Sequence, residues 1–212
     1  KENLSKNDET FSASVRVLEN NFALGLFPEA AHSGKRQMLS HKKAVPRIVF
    51  MAMEKAKNDI DIQIIPTGIY YSHYWKFNRN LVVNFGKPIK AKEFADEFKE
   101  NESAAILSMR QRIIDEMDPV VLEIKSTLFY DDFETIREIY GKHFLKRQNQ
   151  KYSVLNLFKS DQKLVKKLDE LETKNPEETK NLVKQANDYV TKIKTLKIRS
   201  WLLDNPDRNI LN

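Results

Sequence analysis

The spacing of apolar residues changes near residue 91, and this change limits the folds that the chain can adopt. Before it, short apolar runs typical of strands alternate with apolar spacings typical of helices, and after it no strand pattern returns. Strands and helices followed by helices alone predict an α/β layer joined to a helical region. We therefore expect a mixed sheet flanked by helices in a domain over residues 1–98. An all-helical carboxyl-terminal region over residues 99–212 follows.

The first part is predicted to hold two helices and three buried strands. The helices are expected over residues 8–20 and 45–56, and the strands over residues 22–27, 62–71 and 80–85. Continuous apolar runs of this length, bounded by Gly, Pro or polar residues, are typical of strands that are covered on both faces. The segment after the first strand is polar and small, which predicts a loop.

In the second part, helical spacing runs over residues 106–128, with Pro119 as the expected kink, and returns over residues 133–144. Two further apolar stripes cover residues 164–171 and 182–196.

The turn between these two stripes carries the signature of a helix start. Asn175 is placed to cap, Pro176 to occupy the first helical position and Glu178 to complete a capping box. We therefore expect an antiparallel helical hairpin.

Composition excludes several kinds of site. The chain of 212 residues has no cysteine, which rules out disulfides, thiolate zinc sites and cysteine nucleophiles. No two of its 4 histidines lie at close helical spacing, so we expect neither a metal nor another cofactor. No apolar run approaches the roughly 18 residues that cross a bilayer.

The net charge of +6 is unevenly distributed: residues 1–140 sum to −1 and residues 141–200 to +8. This basic stretch has three interpretations: an ordinary solvated helical face, a contact with anionic lipid headgroups, or nucleic-acid binding. No recognised motif supports the last, so no nucleic acid is expected.

The loop after the first predicted strand is the best candidate for a binding site. In open α/β sheets, loops at the carboxyl ends of strands form the ligand crevice. A carboxylate there would accept a hydrogen bond from a hydroxyl, and basic side chains would hold a phosphate. The alternative is a solvated basic loop without a ligand. The candidates are Phe27, Pro28, Glu29, His32, Lys35 and Arg36.

The start of this loop, Phe27–Glu29, resembles the F-P-E-G-T-R-S motif of the glycerolipid acyltransferases, the lysophosphatidic acid acyltransferase family. Two later stretches agree in order and spacing: residues 64–69 (I-I-P-T-G-I) and residues 81–89 (L-V-V-N-F-G-K-P-I). The apolar helix predicted over residues 45–56, between the F-P-E segment and these stretches and preceded by two lysines, also matches. The resemblance covers roughly residues 1–90 and implies an acyltransferase-like α/β fold.

The resemblance implies transfer of an acyl chain from acyl-CoA or acyl-carrier protein to a hydroxyl of a lysophospholipid or glycerol phosphate. In that family the histidine of an H-x-x-x-x-D motif is the general base and the aspartate orients it. By the same resemblance Glu29 contacts the acceptor, and His32 takes the place of the arginine of the motif. The parent protein is expected to act at the cytoplasmic face of a membrane, as a peripheral or anchored protein.

Two departures from the family pattern matter. Ala30 and Ala31 replace Gly-Thr and His32 replaces arginine, and histidine holds a phosphate less well than arginine does. No histidine of the chain is followed by aspartate five positions later. We therefore expect that the chain begins after the catalytic motif, holds no catalytic residue and is inactive alone. The alternative is a non-catalytic lipid- or partner-binding module that retains the fold.

An aromatic cluster over residues 70–77 lies between the second and third predicted strands. Tyr and Trp favour interfaces, so the cluster could border an acyl-chain or membrane-facing groove. The ordinary alternative is that these rings are part of the core and its rim.

Overall fold

The structure is a computed structural model that describes residues 2–57, 59–75 and 77–198, with side chains from Glu9 onward. In chain order its elements are α1 (Glu2–Glu19), α2 (Ala44–Lys55), β1 (Gln63–Ile64), β2 (Thr67–Tyr71), β3 (Leu81–Phe85), β4 (Ile89–Lys90), a 3₁₀ turn (Ala91–Phe94), α3 (Ala95–Glu100), α4 (Glu102–Met117), α5 (Tyr130–Arg147), α6 (Val154–Lys174) and α7 (Pro176–Thr195). Within the described ranges, no helix is both long and apolar enough to cross a membrane.

The predicted change of character is confirmed, since strands occur only before residue 91 in the described part of the chain. The sheet is smaller than expected and consists of two separate strand pairs. Strand β1 pairs with β4 in antiparallel register, with Ile64 opposite Ile89, and β2 pairs with β3. The structure is therefore a mixture of helices and small sheets.

The chain divides into two compact units. The first consists of Lys1–Tyr70 and Val83–Val121, and the second of Tyr71–Val82 and Leu122–Asn212. In the first unit, apolar side chains from α1, α2, β4 and α4 form one core, and Phe50 stacks on Phe98 with ring centroids 4.1 Å apart. The buried members of this core are Val15, Ile48, Val49, Phe50, Ala52, Met53, Ile62, Ile89, Ala91, Ala105, Ile106, Met109 and Ile113.

The strand predicted over residues 22–27 is wrong. This segment has no strand structure, and two of its rings, Phe22 and Phe27, are 69% and 82% exposed. An extended apolar run becomes a strand only beside another strand that accepts its backbone hydrogen bonds. None of the described strands pairs with this segment.

Strand β3 is confirmed, but its predicted burial is wrong. Its side chains alternate between exposed and half-buried, and Val83 and Phe85 are 45% and 71% exposed. On β2, Gly68 and Tyr70 are buried while Ile69 is exposed. The hairpin therefore packs through one face only, and the other face leaves apolar side chains in water.

The helix predicted beyond Pro119 is also wrong. Helix α4 ends at Met117, and burial then alternates, with Val120, Leu122 and Ile124 buried. This period of two is that of an extended segment. Proline cannot donate the hydrogen bond that would continue the helix, so Pro119 ends it rather than bending it.

A carboxylate on α6 holds the next part of this segment within the second unit. Asp169 accepts hydrogen bonds from the backbone amides of Lys125 and Ser126 at 3.3 and 3.1 Å. Burial raises the pKa of the Asp169 carboxyl, although these two donors act in the opposite direction. The amides of the segment therefore find a side-chain acceptor instead of a helical carbonyl.

The second unit is built on the predicted helices α5, α6 and α7, which pack on one another pairwise. The turn between α6 and α7 is confirmed: the Asn175 side chain accepts a hydrogen bond from the Glu178 amide at 3.2 Å, and Pro176 begins α7. The predicted capping box is not completed through the backbone: Nδ2 of Asn175, not its amide, donates to Oε2 of Glu178 at 2.9 Å, and the Asn175 amide donates to the Leu171 carbonyl. Residues 199 and 200, at the end of the basic stretch, lie outside the described residues.

Candidate functional site

Two hydrogen bonds close the candidate loop on itself in the first unit. The carbonyl of Pro28 accepts from the Lys42 amide at 2.7 Å, and Oε2 of Glu29 accepts from the Leu39 amide at 3.0 Å. Both Pro28 and Glu29 are half-buried, whereas the preceding ring of Phe27 is exposed. The Glu29 carboxylate is thus fixed in place and retains lone pairs for a further donor.

The residue after Glu29 has an unusual backbone conformation. Ala30 has φ = 56°, in the left-handed region that glycine enters without steric cost. Its amide donates to the carbonyl of Phe27 at 3.2 Å, which forms a tight turn. By resemblance, this position corresponds to the glycine of the F-P-E-G motif. Glycine would adopt this conformation without strain, so alanine forms the same turn at an energetic cost.

The structure separates the basic residues that the sequence grouped together. His32 and Lys35 are exposed, and Nδ1 of His32 accepts from the Gly34 amide at 2.9 Å. Arg36 is buried, with its guanidinium carbon 5.3 Å from the centroid of the Tyr70 ring. Of these three predicted basic residues, His32 and Lys35 are therefore accessible from solvent and Arg36 is not.

Two polar residues that the sequence did not single out interact electrostatically in the first unit: His41 interacts with both Glu29 and Arg110. His41 is only 4% exposed, and within the described residues neither of its ring nitrogens has a hydrogen-bond partner. On α4, the Nε of Arg110 is likewise buried without a partner there, while Nη2 donates to Oγ of Ser40 at 3.3 Å. Buried polar atoms without a partner are rare in folded proteins and require an explanation.

Sequence reasoning missed these two residues for a simple reason. His41 lies near the end of a polar loop, and Arg110 lies on an amphipathic helix 69 positions further along the chain. A buried imidazole and an exposed one look alike in a sequence. The one available signal was the position of His41 directly before the two lysines that precede α2.

Burial lowers the pKa of His41 below its model-compound value of 6.5. The Glu29 carboxylate acts against this shift and the Arg110 guanidinium adds to it. His41 is therefore neutral at pH 7, with one ring nitrogen as donor and the other as acceptor.

This lowered pKa predicts a pH-dependent stability. As the pH falls, the unfolded chain takes up the His41 proton before the folded chain does. The contribution of His41 to the free energy of unfolding is therefore fully present above about pH 6.5 and is lost as the pH falls through the folded-state pKa. We expect the free energy of unfolding, measured by urea denaturation, to fall more steeply below pH 6.5 in the wild type than in His41→Gln. The exposed His143 supplies the control: His143→Gln should keep the steep fall, and parallel curves for wild type and His41→Gln would contradict the prediction.

The arrangement suits a small ligand that carries both hydroxyl groups and negative charge. Glu29 offers a hydrogen-bond acceptor, Arg110 a charged donor, and His41 one of each. In the described residues, no group of three or more histidine and acidic side chains is placed to hold a metal ion.

Comparison with curated proteins found two relatives, both from Saccharomyces cerevisiae. Glycerol-3-phosphate O-acyltransferase 1 is 29% identical over 135 residues, which cover 60% of this chain. Glycerol-3-phosphate O-acyltransferase 2 is 24% identical over 108 residues, which cover 50% of it. The chain is related to the glycerolipid acyltransferases.

This relationship to the glycerolipid acyltransferases agrees with the resemblance of the F-P-E segment. The chain spans only 17% and 14% of the length of the two relatives. No family model matches the chain. No solved structure matches it either.

Proposed function

We propose that the first unit is the acceptor-binding part of a glycerolipid acyltransferase and that its ligand is glycerol 3-phosphate. The observation that carries this proposal is a set of buried nitrogen atoms without a hydrogen-bond partner among the described residues: both ring nitrogens of His41 and the Nε of Arg110. His41 interacts electrostatically with both Glu29 and Arg110. The names of the two yeast relatives support glycerol 3-phosphate over a lysophospholipid as the acceptor.

The chemistry of the ligand matches the site group by group. The Glu29 carboxylate accepts from a glycerol hydroxyl, and Arg110 donates to the phosphate through its buried Nε. The neutral His41 bridges the two functions, since it donates to a phosphate oxygen without adding charge beside Arg110. The exposed Lys35 adds positive charge to the same loop and favours an anion there.

The reaction of the parent protein follows from this acceptor. An acyl chain leaves acyl-CoA or acyl-carrier protein and is transferred to a hydroxyl of glycerol 3-phosphate, in an acyltransferase-like α/β domain to which the first unit contributes. No histidine with an aspartate five positions later occurs in this chain. We therefore expect it to bind the acceptor without transferring the acyl chain. Because acylation of glycerol 3-phosphate yields an amphiphilic product, we expect the parent protein to act as a peripheral or anchored protein at the cytoplasmic face of a membrane.

A second candidate is a non-catalytic binding module that retains the fold. The strained Ala30 and the histidine in place of the motif's arginine favour it, because both depart from the pattern of an active enzyme. The upstream coding sequence distinguishes the two candidates: an in-frame histidine and aspartate five positions apart supports the enzyme.

Calorimetric titration of the chain tests the proposal. We expect saturable binding of glycerol 3-phosphate that is tighter than that of glycerol or inorganic phosphate. Arg110→Met removes a charge-assisted hydrogen bond and should weaken binding by roughly tenfold or more. Arg112→Met is the matched control, because Arg112 lies on the same helix, is exposed and pairs with Glu116 at 3.1 Å. Equal affinities of these two variants, or no saturable binding, would reject the site.

A second measurement tests the catalytic part of the proposal separately. The chain alone, given acyl-CoA and glycerol 3-phosphate, should release no CoA above the rate of spontaneous hydrolysis. Steady CoA release that depends on glycerol 3-phosphate would contradict the assignment of catalysis to residues outside this chain.

A further inference from the structure

The loop between β2 and β3 exposes two large aromatic rings in the second unit. Trp75 is 83% exposed and Phe77 is 102% exposed, so the described residues leave both rings open to solvent. Scattered single apolar side chains are normal on a protein surface, but two large rings at one loop tip are not. Trp and Phe are also the side chains with the largest gain from leaving water.

The base of this loop is firmly held. Ser72 and Asn80 exchange two hydrogen bonds, from the Ser72 amide to the Asn80 carbonyl and from the Asn80 amide to Oγ of Ser72, both at 3.0 Å. The Ser72 carbonyl accepts from Nη2 of the buried Arg137 at 3.2 Å, and Nδ1 of His73 lies 3.0 Å from Oε1 of Glu138. The exposed tip therefore projects from an ordered base.

Arg79 contacts two tyrosines of the same loop. Arg79 donates to the carbonyl of Tyr74, and its guanidinium carbon lies 5.0 Å from the centroid of the Tyr71 ring. Tyr74 in turn lies against Trp75, with ring centroids 6.4 Å apart. The loop thus combines exposed rings at its tip with tyrosines and an arginine at its sides, the composition that favours a lipid–water interface.

We propose that Trp75 and Phe77 insert into the interfacial region of a lipid bilayer that contains anionic lipids. Two exposed rings enter a fluid interface without a complementary pocket, whereas a protein partner would have to supply one. The net charge of +8 over residues 141–200, which belong to the same unit, attracts an anionic surface. This proposal specifies the membrane contact of the proposed function and does not depend on the phosphate site.

Tryptophan fluorescence tests this insertion directly. The chain has 2 tryptophans, Trp75 and Trp201, so Trp201→Phe makes Trp75 the single probe. With vesicles of phosphatidylcholine and phosphatidylglycerol, its emission should shift to shorter wavelength, and lipid-phase quenchers should reduce it. Emission that stays at the wavelength of water-exposed tryptophan while the protein binds the vesicles would overturn the proposal.

Vesicle sedimentation measures the contribution of the two rings. Trp75→Ser with Phe77→Ser should weaken the partition onto the same vesicles by at least about tenfold. Tyr152→Ser is the matched control, since Tyr152 is an exposed ring of the same unit, 58% exposed, and its loss should change the partition less than twofold.

The other outcomes are also decisive. Partition that depends on salt but is unchanged by the double substitution would assign binding to the basic helices and reject the loop. A spectral shift that grows with protein concentration in the absence of lipid would assign the rings to self-association. Glycerol 3-phosphate titration of the double variant should remain normal, so a failure here is distinguishable from a failure of the acceptor site.

Discussion

Gly68→Ala is expected to lower the free energy of unfolding by about 3 kcal/mol or more. A Cβ on Gly68 would overlap the carbonyl oxygen of Val120 and lie 2.5 Å from its carbonyl carbon. Both are backbone atoms, so no side-chain rotation relieves the overlap. The same carbonyl accepts a hydrogen bond from Nδ2 of Asn84 at 3.2 Å, which would be strained or lost if the segment moved.

The chain supplies its own control for this substitution. A Cβ on Gly25 would have no atom within 4 Å, so Gly25→Ala should change the free energy of unfolding by less than about 1 kcal/mol. Urea denaturation followed by circular dichroism measures both variants. If Gly68→Ala proves as stable as Gly25→Ala, the close approach of Val120 to β2 is incorrect.

Arg137→Met is the second substitution with a large expected effect. The buried Arg137 donates from Nη1 to Oδ2 of the buried Asp161 at 2.8 Å, and from Nε and Nη2 to the Glu134 carboxylate. Removing the guanidinium leaves the Asp161 carboxylate buried without its countercharge. Such losses cost about 3–5 kcal/mol, and we expect this range for the free energy of unfolding.

Two controls separate the buried ion pair from ion pairs in general. Lys180→Met breaks an exposed pair with Glu177 at 2.7 Å and should cost less than about 1 kcal/mol. Arg137→Met combined with Asp161→Leu removes both charges and should recover part of the lost stability, since apolar replacements of buried pairs are often tolerated. Equal effects of Arg137→Met and Lys180→Met would contradict the burial of the network.

Local patterns predicted the helices well because their signals are contained in a few neighbouring residues. The cap at Asn175 and the proline at the start of α7 lie within one turn, and both form as expected. The apolar segment over residues 22–27 failed because a strand depends on a partner that a local pattern does not contain. The helix predicted after Pro119 failed for a related reason, since two amides of that segment donate to Asp169, which lies on a helix far along the chain.

At the candidate site too, local motifs were predicted from the sequence and features that depend on packing were not. The F-P-E segment pointed to Glu29, and the structure fixes that carboxylate by the Leu39 amide. Arg36 was grouped with His32 and Lys35 by proximity in the sequence, yet it is buried against Tyr70 while they are exposed. His41 and Arg110 were not predicted, because the burial of their nitrogen atoms away from a described hydrogen-bond partner is a property of packing.

The sequence alone determined most of the helices and their order, the absence of cysteine chemistry and the resemblance to glycerolipid acyltransferases. These depend on composition, on periodicity and on short motifs, all of which are local. The tertiary structure alone decided which polar side chains share the surroundings of Glu29, where Gly68 must remain glycine, and which aromatic rings stay in water. Each of these depends on contacts, or on their absence, between residues far apart in the chain, and only folding fixes those contacts.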